Sequence, residues 1–494
     1  MLVSRQLLFR LYLSGLLCLG ALAAEPLETL LDQAARSEQI TADVRHLCDS
    51  IGPRLPGTQA MDAAEDWTAR RFRDAGVDAV RLEPFSVPLT WREGETRIEV
   101  LTPTPFAVQA VSTAWSPPVR RLEAPLLDAR NGSAFRIRQW GDDARGKILL
   151  VELDEAQTFH SLGIEQRDAI VALREATAVG AAAVLFSSTR PNRLLYRHVH
   201  TVTANLDPIP SAVLAREDAL RLQRLLRDGE KITVRLRMPN RSRGPIEARN
   251  VVARIQGSEK PAEVVLLGAH LDSWDLGTGC LDNAVNVGVV LEAARAIAAG
   301  DRRPKRSIAF VLFGAEEVGL IGSLAYVRAH REELDDYAAV LVHDMGLGAV
   351  QGYSINGRSE LKEPLQGVLA PLRRHGGVEA IDEAFFGSDH FDFLLEGVPA
   401  LIAIQDTDSY APSYHSAADT YDKVDEQALR QRARFAAAAV FAVADAPERL
   451  GPRLTRDQIS RLLARTSLDD QLKFLGIWES WQSGERGRRL VVGE

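Results

Sequence analysis

Apolar and polar residues alternate along this chain in two rhythms, and the places where the rhythm changes divide it. Between residues 27 and 75, "PLETLLDQAARSEQ" and "MDAAEDWTARRFRDAG" carry apolar residues at helical spacing. The Gly- and Pro-rich "DSIGPRLPGT" between them reads as a loop, and "RIEVLTPTPFAVQAVS" reads as extended chain. From about 113 to 244 the character changes. "GKILLVELDE" predicts a strand, "RDAIVALREATAVGAAAVLFSS" a helix, a glycine stop and a buried strand, and "IPSAVLAREDALRLQRLLRDG" a strand followed by an amphipathic helix. From about 249 onward, near-continuous apolar runs ("NVVARIQG", "AEVVLLGAH", "RSIAFVLFGAEE", "YAAVLVHDMG", "VPALIAIQD") alternate with helical segments ("AVNVGVVLEAARAIAAG", "LIGSLAYVRAH", "PLQGVLAPLRRHGG"). Strands that are apolar on both faces and separated by helices predict an α/β fold, with a mixed, mainly parallel sheet sandwiched by helices. "EQALRQRARFAAAAVFAVADA" closes this domain, and residues 449–494 read as a charged tail with one helical piece.

Length and composition sharpen this division. At 494 residues the chain is too long for one ordinary core. The formal net charge is −8 and no strong basic block occurs, which argues against a nucleic-acid surface. Arg5 and Arg10 precede the short apolar stretch "LYLSGLLCLGALA", and Ala21-Leu22-Ala23 fits a cleavage site. Residues 1–23 therefore read as a signal peptide, too short and poorly flanked to span a membrane comfortably; an uncleaved anchor is the alternative. The mature chain is expected to be secreted or periplasmic, without stable membrane insertion. The expected division is 24–112, the N-terminal part of the main domain; 113–244, a smaller inserted α/β domain; 245–448, the main part; and 449–494, the C-terminal tail. Cys18 leaves with the signal. Export permits a Cys48–Cys280 disulfide, with two separate buried thiols as the alternative.

The chemistry lies where strands end. "AEVVLLGAHLDSWDLGTGCLDNAVN" climbs to His270 and is followed by Asp272, Asp275 and Asp282. Glu316 and Glu317 end the next strand, Asp344 ends the third, and His415 lies in a later loop. Ligands in open α/β sheets bind outside the carboxyl ends of the strands, and that many acids converging there would be unstable without a cation. Two divalent metals resolve the problem, and imidazole plus carboxylate without thiolate suits zinc. With a helix beginning near Ala284 and Asn283 as its N-cap, Asp282 would sit on a fixed loop, placed to bridge the two. Asp272 could accept the far N–H of His270 and fix its tautomer. Of Glu316 and Glu317, one could bind metal and the other act as a base, provided the turn reorients both. His343 reads as a packed neighbour rather than a ligand, Asp275 as a loop cap or solvated acid, His198 and His200 as exposed loop histidines rather than a metal pair, and Arg358 as a surface arginine rather than a partner for a substrate carboxylate.

Together "GAHLDSW", "FGAEEVGLIGS", "HDMG", "GSDHFDFLLEGVPAL" and "YHSAADTYDKVD" carry a resemblance to metallopeptidase family 28, the co-catalytic di-zinc exopeptidases, and within it to the carboxypeptidase Q branch. The resemblance implies the zinc exopeptidase fold with a protease-associated domain at 113–244. It implies two Zn2+ per chain, one held by His270, Asp282 and Asp344, the other by Asp282, Glu317 and His415. Glu316 would be the general base, Asp272 would support His270, Tyr414 would hydrogen-bond the substrate carbonyl, and Asp389 would support the site. The implied activity is hydrolysis of dipeptides or short peptides by metal-activated water, with peptide the expected partner and homodimerisation allowed only by resemblance. The family's Asp-Asp-Gly around the bridging acid is here "LDNAVN", with Asn283 and Ala284 in place of the second acid and the glycine, which bears on metal affinity and substrate preference. Two other classes share the fold: single-zinc glutaminyl-cyclase-like acyltransferases, and non-catalytic receptor-like members that have lost ligands.

Overall fold

The structure is a computed structural model and describes residues 37–489. The signal-peptide reading of residues 1–23, with Cys18, lies outside the described residues. The main sheet has eight strands: β1 Ala79–Val87, β2 Ile246–Ile255, β3 Lys260–His270, β4 Arg306–Phe313, β5 Tyr337–Val342, β6 Val350–Ser354, β7 Glu379–Ile381 and β8 Ala400–Gln405. Their order is β1-β2-β4-β3-β5-β8-β6-β7. The four central strands, β4, β3, β5 and β8, run parallel, and the pairs β1/β2, β2/β4 and β6/β8 are antiparallel.

Register decides where the functional loops emerge. His270 pairs with Phe313, the last residue of β4, and Gly268 pairs with Val342, the last residue of β5. Three parallel strands thus stop at the same sheet edge, and the acids that follow them in sequence become neighbours in space. Side chains along β3 alternate between two cores, as period-2 geometry requires. Val265, Leu267 and Ala269 enter a core with helices Gln59–Asp74 (α1), Val285–Ala298 (α2) and Glu426–Asp445 (α3). Val264 and Leu266 enter the core on the opposite face.

That second core also takes Leu462, Leu463, Leu468, Leu472, Ile477 and Trp481. They come from three helices, Arg456–Arg465, Leu468–Leu475 and Trp478–Gln482, and from Ile477 just before the third. The described part of the expected tail is therefore part of a helical layer, with three helices where one was expected. Its charges mask apolar residues that recur at helical spacing.

A second eight-stranded sheet is built from residues 97–238. Its strands at 126–128, 148–151, 183–187 and 211–214 pair in parallel, flanked by helices Phe159–Ala178 and Arg216–Arg227. The strands at 97–102, 106–108 and 110–112 also lie in this sheet, ahead of the expected start at 113. Strand 97–102 pairs antiparallel with 233–238, so the chain enters and leaves through neighbouring strands. Composition changes only where the apolar parallel strands begin, which places the apparent start late. No helix among the described residues is long and apolar enough to cross a membrane.

Candidate metal centre

The loop from β3 to α2 carries the central acid. Arg54 is fully buried and fastens this loop: Nε donates to the Leu271 carbonyl at 2.7 Å, Nη1 to Thr278 at 2.9 Å and Nη2 to Gly279 at 2.7 Å. Gly279 has φ +62°, and a Cβ there would lie 2.2 Å from that of Ser273, so glycine is required at this turn. Three residues on, Asp419 accepts from the backbone N–H of Leu281 at 2.6 Å and of Asp282 at 3.2 Å. Tyr410 donates its hydroxyl to Asp282 Oδ2 at 2.8 Å. Asp282 is thus held at its backbone by Asp419 and at its carboxylate by Tyr410.

Asn283 is not an N-cap. Helix α2 begins at Val285 after Ala284, without a side-chain cap. Asn283 is buried instead, donates to the His343 carbonyl at 3.3 Å and accepts from Asn286 at 2.6 Å. Where the resembled family has a second acid, this chain has a neutral strut between the bridging loop and the end of β5.

Cys48 and Cys280 form a disulfide, which resolves the two readings of these cysteines. It ties the helical segment His46–Ile51 to the loop two residues before Asp282. The bond closes a sequence separation of 232 residues. Replacing both cysteines by serine is expected to lower the unfolding free energy by about 2–5 kcal/mol; denaturant titration of variant and wild type measures it.

Two sets of side chains that could hold a metal ion assemble on this frame, His270 with Asp282 and Asp344, and Asp282 with Glu317 and His415; within each set the candidate ligand atoms lie within 4.8 Å of one another. His270 Nε2 is 3.1 Å from Asp282 Oδ1 and 3.5 Å from Asp344 Oδ1. His415 Nε2 is 3.0 Å from Glu317 Oε2 and 3.5 Å from Asp282 Oδ2. The two oxygens of Asp282 therefore face different histidines. Ser388 donates to Asp344 Oδ2 at 2.7 Å.

Asp272 acts differently from the expectation. His270 Nδ1 lies 3.0 Å from the main-chain oxygen of Asp272 and 3.8 Å from its carboxylate. The carboxylate accepts instead from the backbone N–H of Glu316 at 3.0 Å and of Glu317 at 3.2 Å. This is how two adjacent glutamates come to serve one site: after β4 the chain turns through Ala315 at φ +60°, and Asp272 anchors both amides. Glu316 belongs to neither ligand set and lines the cavity beside them.

The electrostatics follow from burial and crowding. Burial alone would push the His270 imidazole down, but Asp344, Glu316 and Asp282 outweigh it and hold it well above its ordinary value. Burial, then neighbouring carboxylates, push Glu316 and Glu317 well above the usual carboxylate range. Burial would also raise Asp344, but His270 and the hydroxyl of Ser388 hold it below normal. Glu317 Oε1 is buried without a hydrogen bond. An orphaned carboxylate oxygen among four other ligand side chains is what a cation would satisfy.

The remaining candidates fall as follows. The Tyr414 ring stacks on His415 at 3.7 Å between centroids and lines the cavity. Asp389 is buried with neither oxygen hydrogen-bonded. His343 packs with its Nε2 2.9 Å from the Tyr353 hydroxyl, outside both ligand sets. Asp275 pairs with Arg197 at 2.7 Å. Arg358 is fully buried and donates to the carbonyls of Gly397 and Pro452, so it is a structural arginine of the interior. His198 and His200 are buried, stacked on each other at 4.8 Å, with His200 Nδ1 2.9 Å from Asp207 Oδ2. Sequence reasoning missed Arg54, Tyr410 and Asp419; the only signals were an arginine inside a Gly/Pro loop and acids and tyrosines beside His415.

The cavity, about 230 Å³, lies between the metal-ligand cluster and the second sheet's domain. Phe159, Leu162 and Val199 of that domain face Phe385 and Leu320 of the main one across it. Tyr196 forms an isolated antiparallel bridge with Ser416, and Arg197 N–H donates to the His415 carbonyl at 2.7 Å. The inserted segment is thus fastened to the loop that carries a metal-ligand candidate.

Comparison with known proteins agrees with this architecture. Residues 250–440 match Peptidase family M28. Carboxypeptidase Q of Bos taurus is 29% identical over 408 residues, covering 82% of this chain and 85% of its own. Aminopeptidase YwaD of Bacillus subtilis is 25% identical over 426 residues, covering 82% and 84%. The crystal structure of a peptidase M28 precursor from Shewanella amazonensis superposes with a TM-score of 0.78 at 27% identity, covering 88% of this chain and 99% of that one. The strand ends and loops that gather His270, Asp282, Glu316, Glu317, Asp344 and His415 thus lie in the segment that is similar to Peptidase family M28, and the chain is a metallopeptidase.

Proposed function

We propose that the chain is an exopeptidase for dipeptides or short peptides that works with two zinc ions. His270, Asp282 and Asp344 would hold one ion, and Asp282, Glu317 and His415 the other. The observation that carries this reading is the Asp282 carboxylate, which offers one oxygen to each ligand set. Imidazole and carboxylate donors without a thiolate fit zinc, and the orphaned Glu317 Oε1 fits a site built for a cation. When bound, the ions would lower the pKa of a water and polarise the scissile carbonyl.

The chain's own residues do the rest. Glu316 takes the proton of the attacking water on its carboxylate and passes it to the leaving amine nitrogen. Its raised pKa, set first by burial, suits a group that must hold a proton between the two steps. Asp272 positions Glu316 and Glu317 through their backbone amides. Tyr410 orients Asp282, and Tyr414, flat against His415, is the candidate donor to the substrate carbonyl. The second domain, read as the protease-associated insertion, closes the cavity and limits substrate length.

Metal analysis tests the reading. Two zinc ions per chain are expected, with dipeptide cleavage lost to a chelator and restored by zinc; a fully active protein free of transition metal would overturn it. Tyr410→Phe is expected to weaken metal binding about 10–100-fold, as loss of an orienting partner does; chelator competition measures it. An aminopeptidase acting on longer peptides is the second reading, favoured by the likeness to aminopeptidase YwaD. A panel of peptides with free and blocked termini separates the two.

A further inference from the structure

The cavity wall opposite Glu316 and His415 carries two arginines, Arg190 and Arg197, in very different states. Arg197 is fully committed: Nη1 donates to the Ser112 carbonyl, Nε and Nη2 to Asp275, and Nη2 also to Glu93. Arg190 is only half committed. Its Nη1 donates to Glu165 Oε2 at 2.9 Å and to the Thr189 hydroxyl. Its guanidinium carbon lies 4.3 Å from the centroid of the Tyr196 ring. Among the described residues, no hydrogen bond is made by Nε or Nη2, and Nε is a buried orphan. Arg190 is only 2% exposed.

Nε and Nη2 together form the side-on edge of the guanidinium, the fork whose two parallel N–H bonds match a carboxylate. A buried arginine held on one edge by Glu165 and Thr189, and on its face by Tyr196, with the carboxylate-matching edge unfilled, is a preorganised receptor. The Tyr196 hydroxyl beside it is also buried without a hydrogen bond, and the ring of His198, whose Nε2 lies 3.6 Å from Glu165 Oε1, adds one N–H donor and one acceptor. Glu165 is a weaker candidate for binding an ammonium, because its Oε2 already accepts from Thr189 and Arg190.

We propose that Arg190 binds the free α-carboxylate of the substrate's C-terminal residue, so that the second domain supplies the group that selects dipeptides and other peptides cleaved next to a free C-terminus. The proposal rests on the exopeptidase reading above and settles which terminus is recognised. The bridge between Tyr196 and Ser416 links the loop residue that braces Arg190 to the loop bearing His415, so the terminus reader and the reacting centre are held in one frame. The apolar side chains of Phe159, Leu162 and Phe385 leave room for an apolar residue between them.

The test compares leucyl-leucine, its C-terminal amide and its N-acetyl derivative as substrates of the zinc-loaded protein. Loss of the carboxylate is expected to lower kcat/KM by about 100-fold or more, the scale of a lost charge-assisted hydrogen-bond pair. Arg190→Lys, which keeps the charge and loses the fork, is expected to bring the acid-to-amide ratio close to one. Equal cleavage of acid and amide by the wild type would overturn the proposal without any variant, and if N-acetylation then abolished cleavage, the exopeptidase reading would stand with the amino terminus as the recognised end. An unchanged ratio in Arg190→Lys would also overturn it. A zinc-loaded wild type that cleaves none of the three would overturn the exopeptidase reading itself.

Discussion

Glu316→Gln is expected to retain the metal content of the wild type while kcat on a dipeptide falls about 10²–10⁴-fold, the range of a lost general acid–base group. The geometry makes this a clean substitution. Glu316 belongs to neither ligand set, so its carboxylate charge is not needed to hold an ion. Its position is fixed through its backbone N–H, which donates to Asp272 and is untouched by the change. Glutamine fills the same space and cannot take up a proton. The neighbouring substitution gives the opposite pattern. Glu317→Gln removes a ligand that lies 3.0 Å from His415 Nε2 and carries the orphaned oxygen, so it should lose metal first and activity as a consequence. Metal analysis and steady-state kinetics on the pair separate base from ligand, and a Glu316→Gln protein that still turned over at the wild-type rate would show that the proton goes elsewhere.

What was legible in the sequence is local or periodic. The apolar runs ending at His270, Phe313 and Val342 read as parallel strands, and the placing of ligands at carboxyl ends then brought His270, the two glutamates and Asp344 to one edge. His415 arrived by its motif rather than by any rhythm. What was not legible depends on contacts far apart in sequence. Arg54 serves a loop more than two hundred residues away, and nothing in "GPRLPGT" announces it. His198 and His200 sit in polar-looking "YRHVHTV" and are buried against Phe186, a residue of the preceding strand whose contact the local pattern does not announce. Asn283 had the chemistry of a cap, but a buried carbonyl at the end of β5 competed for its side chain and won. Asp272 was expected to meet His270 through its carboxylate; its main chain meets the histidine instead, and its carboxylate accepts from the two glutamate amides.

Asp282→Asn is expected to reduce bound metal from the proposed two ions per chain to one or fewer, and to abolish activity at least as fully as Glu316→Gln. The carboxylate's pose does not rest on its own charge. Asp419 holds the Leu281 and Asp282 amides, Arg54 holds the preceding loop, and Cys280 is bonded to Cys48. Asparagine should therefore occupy the same place, but with one carbonyl oxygen where two oxygens faced two histidines, and with an N–H2 donor turned toward a cation. The loss of affinity would then reflect charge and denticity rather than collapse of the loop. Thermal stability supplies an independent check with a definite sign. An ion that binds only the folded chain stabilises it by mass action, so zinc should raise the melting temperature of the wild type by more than that of Asp282→Asn. If zinc instead raised the melting temperature of Asp282→Asn as much as that of the wild type, the ions would not be sharing this carboxylate, and the crowding of acids at the sheet edge would need another explanation.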